Sequence, residues 1–319
     1  MRKFVKLLAI YASIIAVLVV IVNCWYTALD HRDLNDTAKF DNVPYDIQIC
    51  NLGSSHGLYG FNYEALSEQY TCFNFALNSQ TLSYDARILE YYKEHIKEDA
   101  IVFVTVSYPS LFGLPETEEE EFATKNMRYY DFLPSEYIKE YDIKTALFTK
   151  FPSLYAYETL PLALIGHYID ADTSLAGWEA EIDEVGLPDN TAATIERHLV
   201  YHKLDENGNR IRNQEEIDAL YKIIDICKEI GATPVLITHP YSLVYENVIN
   251  IYMPEFYDDF NNTLNEIIDH TGVAYYNYTH DERFFNDFTY FRDTDHLNKD
   301  GAALFTEILM NEVVPTIWN

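Results

Sequence analysis

The stretch YDIQICNLGSSHG, residues 45–57, reads as a strand that runs into a turn. Ile47 to Leu52 is an apolar run of the length a buried strand needs. Gly53, Ser54 and Ser55 then supply turn-forming residues, and NYEALSEQY (62–70) reads as a helix. The alternation continues outward from there. TCFNFAL (71–77) is a second strand. LSYDARILEYYKEHIKE (82–98) places Leu82, Ile88, Leu89, Tyr92 and Ile96 at helical spacing. AIVFVTVSY (100–108), rich in β-branched and aromatic residues, is the clearest strand of the chain.

From Pro115 to about Arg212 the β-α rhythm stops, and we read 115–212 as an insertion. PETEEEEF is a solvated acidic loop within it. Asn207-Gly208 marks the tip of a hairpin or loop. The rhythm resumes at Asn213, an N-cap with Glu216 three residues on, in the pattern of a capping box. That helix stops at Gly231. TPVLITH (233–239), a helix over about 254–270, VAYYNY (273–278) and a final helix from Gly301 complete the series. Such alternation implies a parallel five-stranded sheet covered on both faces, a three-layer α/β/α sandwich. In open α/β sheets the ligand site lies beyond the carboxyl ends of the strands. Ser55 follows the first strand. Asp293 and His296, in FRDTDHLNKDGAALF, follow the fifth. The pattern therefore puts all three on one rim.

The N-terminal segment is of another kind. Arg2, Lys3 and Lys6 precede a nearly unbroken apolar run from Leu7 to Val22, closed by Trp25 and Tyr26. This is close to the ~20 residues that cross a bilayer as helix. The early cations favour a cytoplasmic N-terminus. A cleaved signal peptide is the alternative, but NCWYTALD offers no small-x-small cleavage site. The organisation read from the sequence is thus an anchor over 1–28, a polar tether over 29–44, and an α/β domain over 45–319 that faces away from the cytoplasm. The formal net charge of −29 becomes more negative still without the anchor's three cations. Nucleic acid is excluded as a partner by charge. Cys24, Cys50, Cys72 and Cys227 show no zinc spacing, and no disulfide is expected. His198 and His202 stand four apart, but Leu199 replaces the glutamate of a zinc-protease motif, so neither a metal nor another cofactor is expected.

A serine on a strand-to-helix turn is a nucleophile awaiting a base. An Asp three residues before a His can reach the imidazole Nδ1–H and turn Nε2 toward the serine. By the same spacing, Asp295 should point elsewhere. Gly53-Ser54-Ser55 followed by Asp293-x-x-His296 resembles the SGNH/GDSL hydrolase family over residues 45–112 and 213–312. The resemblance implies Ser55 as nucleophile, His296 as base and Asp293 as orienter, on the sandwich fold described above. It also implies oxyanion donors after the second and third strands, a glycine N–H and an asparagine. Ser79 stands where the family has a glycine. The family's asparagine has no counterpart in VSYPSLFG, and Asn78 or Ser107 are the candidates to replace it. Similar membrane-anchored members modify extracellular polymers, polysaccharide O-acetyltransferases and the protein of teichoic acid D-alanylation among them. The expected function is therefore a serine esterase or acyltransferase acting on an acylated glycan or cell-envelope polymer, with a membrane-bound acyl-donor partner. The alternative is an inactive glycan-binding or scaffold subunit.

Overall fold

The computed structural model describes residues 2–27, 37–113, 126–150, 191–194, 196, 198 and 203–318. Half of the tether, His202 and much of the 115–212 insertion lie outside them. The chain forms two compact units, Met1–Asp41 with Glu120–Ser174, and Asn42–Glu119 with Leu175–Asn319.

The first unit contains α1, Arg2–Thr27. Its Arg2–Cys24 stretch has mean hydropathy 2.8 and is not buried in the protein. At ~1.5 Å per residue it reaches ~35 Å, enough for the ~30 Å hydrocarbon core of a bilayer. One N-terminal helix is therefore long and apolar enough to span a membrane, a property a signal sequence shares. The same unit stacks Phe40 on Phe132, ring centroids 3.8 Å apart, and bonds the Thr37 hydroxyl to Asp131. A short helix, α4 (Ile143–Lys150), starts where the Asp142 carboxylate accepts the Thr145 N–H.

The second unit is built on β1 (Ile47–Leu52), β2 (Cys72–Asn74), β3 (Ile96–Thr105), β4 (Thr233–Thr238) and β5 (Ala274–Asn277). They pair in the order β2-β1-β3-β4-β5, every pair parallel. Successive residues Ile101, Val102, Phe103 and Val104 are all buried, so β3 is covered on both faces. On one face Ile101, Phe103, Val235 and Ile237 pack with Phe305, Ile308 and Leu309 of α8 (Lys299–Glu312). On the other, α3 (Leu82–Tyr92) packs against α5 (Gln214–Glu229), which also lies on β4. This is the α/β fold with helices on both sides that the alternation implies.

Local departures have local causes. The helix expected over 62–70 is one turn of 3-10 helix, Glu64–Leu66. The Asn62 side chain accepts from the Glu64 N–H and the Ser67 hydroxyl donates to the Glu64 carbonyl, bonds that compete with helix propagation. The helical residues lie earlier, in α2 (Ser55–Gly60). Ile96 belongs to β3, opposite Ile47, not to the preceding helix. A helix not read from the sequence, α6 (Leu243–Tyr252), is capped by the Ser242 hydroxyl, and α7 (Phe256–Thr271) follows it. Leu204 and Arg210 bridge antiparallel around Asn207-Gly208, the hairpin tip the Asn-Gly pair implied. Cys50, Cys72 and Cys227 are free thiols.

Asn213 does cap α5, accepting the Glu216 N–H, but the Glu216 carboxylate does not return the bond. It crosses to the N–H of Ser83 on α3 at 3.0 Å. Burial pushes its pKa up to about 7. A folded-state pKa above the unfolded one stabilises the fold fully below about pH 4 and loses that contribution as pH rises through about 7. Glu216→Gln keeps an acceptor for Ser83 without the ionisation. Its stability relative to the parent should be greater at pH 8 than at pH 5, by on the order of 2 kcal/mol, read from urea unfolding midpoints.

Candidate active site

β1 is where the sheet order reverses, with β2 on one side and β3 on the other. A ligand crevice opens at such a switch point. The turn leaving β1 is pressed against the end of β3. A Cβ on Gly53, whose φ is +132°, would lie 2.6 Å from Thr105 Cβ. Only glycine fits that backbone and that gap. The Gly53 N–H donates to buried Asp85 Oδ1 at 2.9 Å, and Gln80 donates to the same oxygen at 2.6 Å. Asn51 and Asn74 both donate to the Gly57 carbonyl, at 3.0 and 3.2 Å. Asp85 of α3 thus holds the turn that enters α2, the sheet asparagines hold the first turn of α2, and Ser55 sits at its start.

The facing loop is fixed as firmly. Phe291 and Leu297 bridge antiparallel, and the Arg292 N–H donates to the His296 carbonyl. Asp293 Oδ1 accepts the N–H of Asp295 and of His296. Asn298 caps α8 through the Gly301 N–H and donates to the Thr289 carbonyl. Ser242 Oγ donates to the Thr294 carbonyl at 2.6 Å.

Between these two supports the side chains meet. His296 Nε2 is 2.8 Å from Ser55 Oγ. His296 Nδ1 is 2.9 Å from both Asp293 oxygens. The geometry is that of a hydroxyl, an imidazole and a carboxylate in line, with Nδ1–H donated to the carboxylate and Nε2 left to accept from the serine.

The three oxyanion candidates stand differently. Ser79 is exposed and left-handed, φ +50°, a backbone suited to the glycine the resemblance places there. Asn78 Nδ2 donates to the Tyr59 hydroxyl at 3.4 Å, and the Tyr59 ring meets His296 edge-on at 5.3 Å. Ser107 is drawn into a cap on the 3-10 turn Tyr108–Leu111, where its hydroxyl and its N–H both engage Ser110.

The sequence reading missed the other side of the imidazole. Asp295 does not point elsewhere. It is 1% exposed, with Oδ1 3.5 Å from His296 Nδ1 and Oδ2 3.3 Å from His56 Nε2. His198 Nε2 lies 3.7 Å from the same Oδ2, and Thr194 donates to Oδ1 at 3.3 Å. Burial opposes ionisation of Asp295, but His296, His56 and His198 outweigh it and hold its carboxyl well below the usual range. His56 stacks on His296 with ring centroids 4.8 Å apart, and burial pushes its own pKa down. His56, Asp295 and His296 each offer a donor atom within 4.8 Å of the others, so a cation bound there would compete with Ser55 and Asp293 for the His296 ring. The sequence held one signal for this pocket, a second Asp adjacent to the histidine; the spacing of His198 from His202 pointed to an incomplete metal motif, not to this pocket.

No protein-family model matches this chain, and no curated protein matches it. Among solved structures, a crystal structure from Bacteroides fragilis NCTC 9343, provisionally named an acylhydrolase, is similar. It is 8% identical, with a TM-score of 0.42, over 88% of this chain and 95% of that one.

A Cβ at Gly301 would lie 2.2 Å from the Tyr290 carbonyl oxygen, so α8 starts in backbone contact with the loop it supports. Gly301→Ala should lower stability by about 1–3 kcal/mol, measured by chemical unfolding.

Proposed function

We propose that this protein is a membrane-anchored, extracytoplasmic serine esterase or acyltransferase of the SGNH type. The observation that carries the reading is the 2.8 Å contact between Ser55 Oγ and His296 Nε2, with Asp293 on the far nitrogen. His296 takes the Ser55 proton as Oγ attacks an acyl carbonyl. The backbone N–H of Ser55, at the positive end of α2, faces the developing oxyanion with that of Ser79. Collapse expels the alcohol, which leaves with the proton from His296. His296 next deprotonates the acceptor that discharges the acyl-enzyme. Water as acceptor makes an esterase; a sugar hydroxyl makes a transferase. The substrate class is an acylated glycan or cell-envelope polymer, and in the transferase a membrane-bound partner donates the acyl group that the polymer accepts. The net charge of −29 favours a neutral glycan over a polyanion such as teichoic acid. The apolar helix Arg2–Cys24 is the proposed anchor.

A second reading, a domain that keeps the fold without turnover, is favoured by one feature. Ser107 is committed to Ser110, and no asparagine replaces the family's donor at that place. A fluorophosphonate serine probe separates the two. Labelling of the parent with none of Ser55→Ala supports the enzyme, and an unreactive parent at neutral pH supports the scaffold. Hydrolysis of short-chain aryl esters should fall on the order of 10⁴-fold or more in Ser55→Ala and in His296→Ala. The rate should also fall in acid, because a protonated imidazole is no base. A flat profile from neutral to about pH 4 would remove His296 from that role.

A further inference from the structure

We propose that Asp295 is a second carboxylate of the base: Asp293 orients the His296 ring, and Asp295 supplies buried negative charge that stabilises the ring once it is protonated. This rests on the serine-enzyme reading above. The two acids are placed for different work. Asp293 bonds Nδ1 with both oxygens and also ties the loop backbone, but its side chain is 19% exposed. Water screens a charge so placed. Asp295 is 3.5 Å from the same Nδ1 with its side chain wholly buried. At that range an unscreened carboxylate favours imidazolium strongly.

The surroundings of the ring point the same way. From α2, His56 stacks on it and Tyr59 meets it edge-on, while the Arg292 guanidinium lies 4.4 Å above the Tyr59 ring. From the turn after β4, Tyr241 meets His56 edge-on, and His239 lies near enough to act on electrostatically. Burial keeps His239 and His56 in their neutral forms. Both nitrogens of each are buried without a hydrogen bond among the described residues. His198 Nε2 approaches the same Asp295 oxygen as His56, its Nδ1 bonded to the Tyr245 hydroxyl at 2.8 Å. Asp295 thus lies among the imidazole rings of His56, His198 and His296 with its side chain wholly buried. When His296 takes the serine proton, the new positive charge forms beside Asp293 and Asp295 together. When the proton passes on to the leaving alcohol, that charge is gone and both acids are unchanged.

The test uses fluorophosphonate labelling rates of the full chain and of Asp293→Asn, Asp295→Asn and the double variant, each checked for native circular dichroism. If Asp293 acted alone, Asp293→Asn should cost on the order of 10⁴-fold. With Asp295 behind it, each single variant should lose about 10- to 100-fold, and the double on the order of 10⁴-fold. Labelling of Asp295→Asn at the parent rate overturns the proposal, as does an Asp293→Asn loss near 10⁴-fold. The latter holds even if Asp295→Asn fails to fold. A second readout needs no turnover. In a Ser55→Ala background with ¹³C-labelled histidine, Asp295→Asn should move the His296 titration down by about one pH unit or more. An unmoved titration overturns the proposal. A parent that the probe does not label, with the titration still moved, rejects the enzyme and leaves the coupling of Asp295 to His296 standing.

Discussion

The hydrogen bond from Ser55 to His296 spans 241 residues of sequence, and the rest of the second unit is arranged to make it. A parallel sheet sends every strand the same way, so all of its carboxyl ends share one rim. That alone does not bring the two loops together. Ser55 follows β1, while the His296 loop follows β5, three strand positions away in the order β2-β1-β3-β4-β5. At ~4.8 Å per step the gap is ~14 Å. The chain from Tyr278 to Leu297 crosses it over the ends of β4 and β3. It is pinned on the way by Ser242 under Thr294, and by the Asp281 turn, whose carboxylate holds Arg283. α8 then begins directly against Tyr290, through a glycine that no other residue replaces without a clash.

Buried charge is the second constraint. The protein is strongly acidic, and Asp85, Glu216, Glu246 and Asp295 are all buried. Each has company suited to its form. Asp85 and Glu216 accept backbone N–H groups, and burial raises both to about 7. Glu246 is bonded to Tyr108 at 2.8 Å and faces His280. Asp295 goes the other way, held ionised by imidazoles. A buried carboxylate without such partners would cost several kcal/mol. The difference between the first three and Asp295 is a difference of role. Those on α3, α5 and α6 tie elements together, and the one beside His296 faces the imidazole ring.

Much of this was legible before the fold was known. Apolar runs marked all five strands: β1, β3 and β4 read as continuous hydrophobic runs because both faces are buried there, while the edge strands β2 and β5 are at most half-buried. The triad candidates Ser55, Asp293 and His296 were legible because each sits in a short motif at an element boundary. Asp295 was misread. Spacing along one loop says which residue can reach Nδ1, but not which side of a tight turn a neighbour faces, and here the Phe291–Leu297 bridge turns Asp295 inward. His56 carried no readable signal and His198 only an incomplete metal spacing, since their neighbours in the pocket are contributed by other elements. Ser107 looked available as a donor until its local cap with Ser110 was seen.

Sequence by itself determined the classes of element, their order, the acidic surface and an apolar helix of membrane-spanning length, because these depend on periodicity, composition and charge within short windows. Only the tertiary structure decided which buried groups share a pocket. Contacts between the β1 turn, the loop before α8 and the segment carrying His198 depend on strand order and on how the chain crosses the rim. Neither is encoded in any one stretch. The surroundings of the His296 ring, and the charge that Asp295 brings to it, are set there.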